Sequence, residues 1–140
     1  MIKKQFTLYL ENKPGALAKV TRQLGREEVN IDGISVAEST DVSLVQVVAS
    51  NAAATRRILK GLGIPFTVQD VALLPLKNVP GALCSVVSEL ARSKVNINYV
   101  YATGSAGKGK NVAMDYVVIS APNLEKVEAC WEQVCGRNGK

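Results

Sequence analysis

The stretch Leu10-Glu11-Asn12-Lys13-Pro14-Gly15-Ala16-Leu17 returns 66 positions later as Leu76-Lys77-Asn78-Val79-Pro80-Gly81-Ala82-Leu83. Carried on to Ile31 over Ile97, the same offset gives 12 identities in 22 gap-free positions, starting at Leu10, Asn12, Pro14, Gly15, Ala16, Leu17, Val20, Leu24, Arg26, Val29, Asn30 and Ile31. Chance does not produce this agreement. The chain of 140 residues is a duplication, with each copy taking about half of it.

Outward from the repeated stretch, each copy reads strand, helix, strand, strand, helix. Phe6, Leu8 and Leu10 alternate with Gln5, Thr7 and Tyr9, the period of a half-buried strand. Pro14 stands where a helix can begin, since the first helical position needs no N–H. Leu17, Val20, Thr21 and Leu24 follow at helical spacing. Residues 29–38 and 42–50 are β-branched-rich and flank a short turn, Ser39-Thr40-Asp41. Asn51 suits a helix N-cap, residues 52–62 the helix and Gly63 its stop.

The second copy predicts a strand over 71–76, a helix over 80–92 and a strand pair over 95–103 and 112–120. A last helix begins near Pro122 with Leu124, Val127, Trp131 and Val134 on one face, which makes Trp131 a core residue. Residues 66–76 must serve as the last strand of one copy and the first of the next, so the modules, 1–69 and 70–140, have almost no linker. Positions 135–140 have no β pattern, so the second sheet is expected to be a strand short or completed by another chain. Val71, Leu73 and Pro75 face away from Ala72, Leu74 and Leu76, and a strand apolar on both faces normally has both covered. A neighbouring module or a partner subunit would cover the second face, and a homodimer is the simplest expectation.

Composition narrows the chemistry. Hydrophobic residues make up 47% and charged residues 21%, enough for a buried core. The net charge of +5 is spread over scattered lysines and arginines with no run of five, the pattern of a solvated surface. Neither a nucleic-acid nor a membrane partner is expected. Tyr99 and Tyr101 are candidate base-stacking residues of an RNA-binding sheet, but aromatics are 5% and the usual aromatic motif is missing. There is no histidine, which excludes imidazole catalysis and histidine metal sites, and no other cofactor is implied. Cys84, Cys130 and Cys135 match no zinc or redox spacing. Without a signal-like or membrane-spanning apolar run, the expected location is the cytoplasm.

The duplicated constellation, Asn-x-Pro-Gly-Ala-Leu followed by Val-Asn-Ile, is the one set of residues suited to binding. The backbone N–H groups of Gly15, Ala16 and Leu17 open a helix, where they lack helical partners and favour a carboxylate. Gly15 lets a ligand approach the backbone closely. Asn12 and Asn30 offer amide donors and acceptors, and Asp32 is a further partner for an ammonium group. The same set is also ordinary turn and cap chemistry. Its recurrence as Asn78, Gly81, Ala82, Leu83, Asn96 and Ile97, with asparagine where strands disfavour it, tilts the reading to function. The copies differ at Asp32 against Asn98 and Gly33 against Tyr99. By contrast, Gly104 to Asn111 nearly spells a phosphate-binding loop, but the residues after it read as a strand where that motif needs a helix.

In these motifs the chain resembles a tandem member of the ACT-domain family. The resemblance implies an α+β fold: two ferredoxin-like βαββαβ modules in tandem, with antiparallel sheets and helices on one face. It implies a non-catalytic regulatory protein of amino-acid metabolism, binding a free amino acid at interfaces between modules. By the same resemblance Asn12 and Asn30, and Asn78 and Asn96, contact the ligand; the candidate site takes in with them the helix-start and strand-start residues Gly15, Ala16, Leu17 and Ile31, and Gly81, Ala82, Leu83 and Ile97. Serine-sensing members carry a histidine two residues before the loop asparagine; Leu10 and Leu76 stand there, so serine does not carry over. The other reading is a regulatory subunit that acts mainly by contact with a biosynthetic enzyme or regulator.

Overall fold

The computed structural model describes residues 1–108 and 113–136. Its elements are β1 (Ile2–Glu11), α1 (Ala16–Arg26), β2 (Ile31–Glu38), β3 (Val42–Ala49), α2 (Ala52–Gly61), β4 (Phe66–Lys77), α3 (Ala82–Arg92), β5 (Tyr99–Lys108), β6 (Ala113–Ser120) and α4 (Leu124–Cys135). They form two compact units: Lys4–Gln69, and Asp70–Lys140 together with Met1–Lys3.

In the first unit the strand order is β2-β3-β1-β4, the ferredoxin-like arrangement. Phe6, Leu8 and Leu10 of β1 join Val45, Val47 and Ala49 of β3 on the face that receives α1 and α2. Val20 and Leu24 of α1, with Ile58 and Leu59 of α2, complete that core. Arg56 lies over the rings of Phe6 and Phe66, 6.0 and 5.9 Å from their centroids, adding a cation–π contact where α2 meets the sheet. Asn51 caps α2 as its sequence suggests, accepting from the N–H of Ala54 at 3.0 Å.

The second unit repeats the plan with Ala72, Leu74 and Leu76 of β4 against Val86 and Leu90 of α3 and Val127 and Cys130 of α4. Asn123 is the counterpart of Asn51 and accepts from Lys126 N–H at 3.0 Å. Its sheet has four strands, which neither sequence expectation foresaw. The fourth is the start of β1: Leu73 N–H donates to the carbonyl of Met1 at 2.7 Å. The Met1 ammonium donates to Leu73 O at 3.3 Å and pairs with Glu128 at 2.6 Å. β1 is longer than the alternation of residues 5–10 suggests, and its first residues fill the vacant edge.

β4 is buried on both faces within the single chain, Val71 at 0% and Leu73 at 3% exposure. Its two-sided apolar pattern therefore gives no argument for a partner subunit. The hairpin after β5 also differs from expectation. Ser105 pairs with Asp115 and Lys108 with Ala113, so β5 runs through much of the glycine-rich stretch, with register shifts. Residues 109–112 of that stretch lie outside the described residues. β6 follows as a strand, so the helix that a phosphate loop requires is absent there.

Candidate functional site

Both copies of Asn-x-Pro-Gly fold into the same turn. Lys13 N–H donates to Glu11 O at 2.9 Å, and Val79 N–H to Lys77 O at 3.0 Å. Ala16 N–H then reaches Lys13 O at 3.4 Å, and Ala82 N–H reaches Val79 O at 3.2 Å. Pro14 and Pro80 belong to this turn and not to the first helical position, because the helices start at Ala16 and Ala82. Gly15 and Gly81 are the N-caps, left-handed at φ 87° and 86°. Glycine reaches that conformation without the strain a Cβ brings, and no atom lies within 4 Å of where a side chain would begin. Neither helix has a capping side chain or an acidic residue in its first turn. The positive helix end is left for something else to meet.

Around these turns Ala16, Leu17 and Ala82 are half-buried and Leu83 is exposed. Asn12 is exposed; its N–H donates to Asp41 O at 3.0 Å, and Ser43 Oγ donates to its Oδ1 at 3.5 Å. Asn78 is exposed just after β4.

The strand asparagines lie elsewhere. Ile31 pairs with Ala49 at one end of the β2–β3 ladder, whereas Glu11 pairs with Val42 near its other end. Asn12 and Asn30 thus sit at opposite ends of one module, separated by the length of β2, about 23 Å at about 3.3 Å per residue. The single cradle imagined from the sequence does not form inside a module. Asn30 is held locally: its N–H donates to Ser50 Oγ at 2.9 Å and its Nδ2 to Asp32 Oδ1 at 2.9 Å. In the second copy it is Asn98 that meets the corresponding serine, with Asn98 N–H to Ser120 O at 2.8 Å and Nδ2 to Ser120 Oγ at 3.4 Å. Asn96 is exposed in the segment before β5, which begins at Tyr99, four residues later than expected from Val95. Ile31 and Ile97 pack against the edges of their cores. Tyr99 and Tyr101 stack on each other at 6.4 Å, and burial pushes the Tyr101 hydroxyl pKa upward.

Sequence reasoning missed a cavity of about 520 Å³ beside the second helix start. Leu76, Val79, Met114, Trp131 and Val134 line it, together with Lys77 and Gly81. Trp131 packs on the core as expected and donates from Nε1 to Pro75 O at 2.9 Å, but it also faces this space. Aligning the capped helices at Asn51 and Asn123 puts Trp131 where the first copy has Leu59 and Val134 where it has Leu62. Those replacements, with Val79 for Lys13, were the available signal. Among the described residues no cluster of His, Cys, Asp or Glu is suited to a metal ion, and no helix is long and apolar enough to cross a membrane.

Residues 1–122 match the family described as the ACT domain pair. The chain belongs to the ACT-domain family. This ACT domain pair is 32% identical to protein BT0572 from Bacteroides thetaiotaomicron, whose crystal structure it matches with a TM-score of 0.81 over 95% of this chain and 88% of that one. The regulatory subunit of aspartate kinase from Thermus thermophilus, in a ligand-free form, shares the fold at 14% identity and a TM-score of 0.66, over 95% of this chain and 91% of that one. The corresponding subunit from Thermus flavus does so at 17% and 0.65, over 96% and 91%. No curated protein sequence matches the chain.

Proposed function

We propose that this ACT domain pair is a non-catalytic cytoplasmic sensor of a free amino acid, which it holds at the Asn-x-Pro-Gly helix starts. The observation that carries the reading is the duplicated left-handed glycine cap, open to solvent, with no side chain meeting the helix end. Such an end suits a carboxylate. Asn12 or Asn78 stands beside it with an exposed amide. Because Asn30 lies at the far end of its own module, the second amide comes from a second copy of the chain, as a homodimer. Ligand capture across that interface favours one arrangement of the dimer, and a partner enzyme or regulator responds to the shift. The fold is that of proteins named as regulatory subunits of aspartate kinase, which supports a role of this class.

Thermal melting against all twenty amino acids tests the idea, because a ligand bound only by the native state at ~100 Kd adds about 2.7 kcal/mol. The expected result is a shift with a restricted set of amino acids, lost when Asn12→Ala and Asn30→Ala are combined and kept in Lys108→Ala. No shift with any amino acid would sink the sensor. A second reading, contact with a biosynthetic enzyme as the main business, is favoured by Tyr9, Val42 and Leu44. These are exposed on the sheet face away from α1 and α2. Capture of one enzyme in fixed stoichiometry by a protein that no amino acid stabilises would select it.

A further inference from the structure

The solvent-facing sides of α1 and α4 carry opposite charge. In the first module α1 holds Lys19, Arg22 and Arg26 and α2 holds Arg56, Arg57 and Lys60, and neither helix contains an acidic residue. All six cations are exposed. Far apart in the sequence, they are gathered because α1 and α2 pack on one face of the sheet. Arg57 pairs with Glu27, and Arg56 lies over the rings of Phe6 and Phe66. Among the described residues no carboxylate pairs with Lys19, Arg22, Arg26 or Lys60.

In the second module α4 carries Glu125, Glu128 and Glu132 against Lys126 alone. Glu125 and Glu132 are exposed, and Glu128 is half-buried, paired with the Met1 ammonium. Lys19, Arg22 and Arg26 stand at i, i+3 and i+7, and so do Glu125, Glu128 and Glu132. At about 1.5 Å per residue each set makes a row about 10 Å long on one side of its helix. The two rows match in length and oppose in sign. Small exposed residues flank both, Ala18 and Gly25 on α1 and Ala129 and Gly136 at α4, and they leave room for a second helix to come close.

We propose that α1 of one copy docks antiparallel along α4 of a second copy, with Lys19 meeting Glu132, Arg22 meeting Glu128 and Arg26 meeting Glu125. That direction also sets the uncapped, positive start of α1 beside the negative end of α4. Arg56 and Lys60 extend the positive field beyond the contact and steer the approach of the acidic helix. The contact joins unlike surfaces, so it closes only when two copies make it twice and otherwise propagates. It uses none of the asparagines and does not rest on the sensor reading.

Sedimentation of the full chain over a concentration series tests the contact. Self-association is expected at low salt and should weaken at least about tenfold near 1 M salt, where the screening length is about 3 Å. Arg22→Glu with Arg26→Glu should abolish it, and so should Glu125→Lys with Glu132→Lys. Mixing the two double variants should restore it, because each supplies the charge that the other has lost. Recovery on mixing also excludes misfolding as the cause of the loss. A mixture as dispersed as its components would overturn the proposal. So would a dimer that persists in both variants and at high salt, and in that case the asparagine-bridged dimer would survive. Binding of single-stranded RNA that the α1 variant alone loses, with self-association unchanged in both variants, would overturn it in favour of a phosphate backbone.

Discussion

Gly15 and Gly81 adopt the same left-handed conformation, at φ 87° and 86°, with empty space where a side chain would start. The backbone and not packing demands glycine there. Gly15→Ala and Gly81→Ala are each expected to cost about 1 kcal/mol or somewhat more, the strain of a Cβ in this region. Asparagine, which tolerates the region better, should cost less at either position. Urea unfolding compares the midpoints. Alanine variants as stable as the parent would show that the turn has another accessible form.

The helix ends give the opposite sign. Val29 N–H reaches Leu24 O and Glu28 N–H reaches Gly25 O, the Schellman pattern, and Val95 and Lys94 repeat it on Leu90 and Ala91. Glu28 and Lys94 occupy the left-handed position at φ 56° and 57°, where α2 uses Gly63. Glu28→Gly and Lys94→Gly are therefore expected to stabilise the protein, each by up to about 1 kcal/mol, after the entropy of a freer unfolded chain is subtracted. A lowered urea midpoint in either variant would contradict this account.

These two pairs show what the sequence made legible. Identical residues at a fixed offset imply identical local structure, and helices, hairpins and caps could be read from period and capping chemistry. What depends on distant pairing could not. Met1 beside Leu73 joins residues 72 apart, and no local pattern in Ile2-Lys3-Lys4 announces an edge strand for the other copy. Asn12 and Asn30 looked like partners because they are close in sequence, whereas the register of β2 and β3 sends them to opposite ends. Asn96 aligns with Asn30, yet Asn98 makes the serine contact, because β5 starts later than the repeat suggests.

Trp131 couples helix α4 to strand β4 through its bond to Pro75 O. Trp131→Phe keeps an aromatic ring and removes the donor, so the expected cost is about 1 kcal/mol, increased by the smaller ring's looser packing. Denaturation of this variant followed by circular dichroism measures it. A neutral substitution would mean that water replaces the indole N–H at no loss.

Glu27 and Arg57 join the end of α1 to α2 at 2.6 Å. The hydrogen bond from Arg57 holds the Glu27 carboxyl below the ordinary carboxylate range, with a second bond from Gln23 acting the same way and desolvation opposing them. A carboxyl whose folded pKa is depressed contributes stability above its unfolded pKa and loses it as pH falls through the folded value. Melting temperature is thus expected to fall more steeply on acidification below about pH 5 in the parent than in Glu27→Gln. Parallel curves would show that the pair contributes nothing measurable.

The three free thiols differ in how far each is buried. Cys84 is exposed on α3, Cys130 is buried in the second core and Cys135 is partly buried in the cavity wall. Burial raises the Cys135 thiol pKa, with the nearby Lys77 charge opposing it, and a thiol reacts as its thiolate. Under native conditions near pH 8, Cys84 is expected to react first with a disulfide reagent, Cys135 slowly and Cys130 only on unfolding. Mass spectrometry of labelled peptides separates the three. Labelling of Cys130 as fast as Cys84 would show that the second core opens readily under native conditions, and labelling of Cys135 as fast as Cys84 would show that its burial gives no protection.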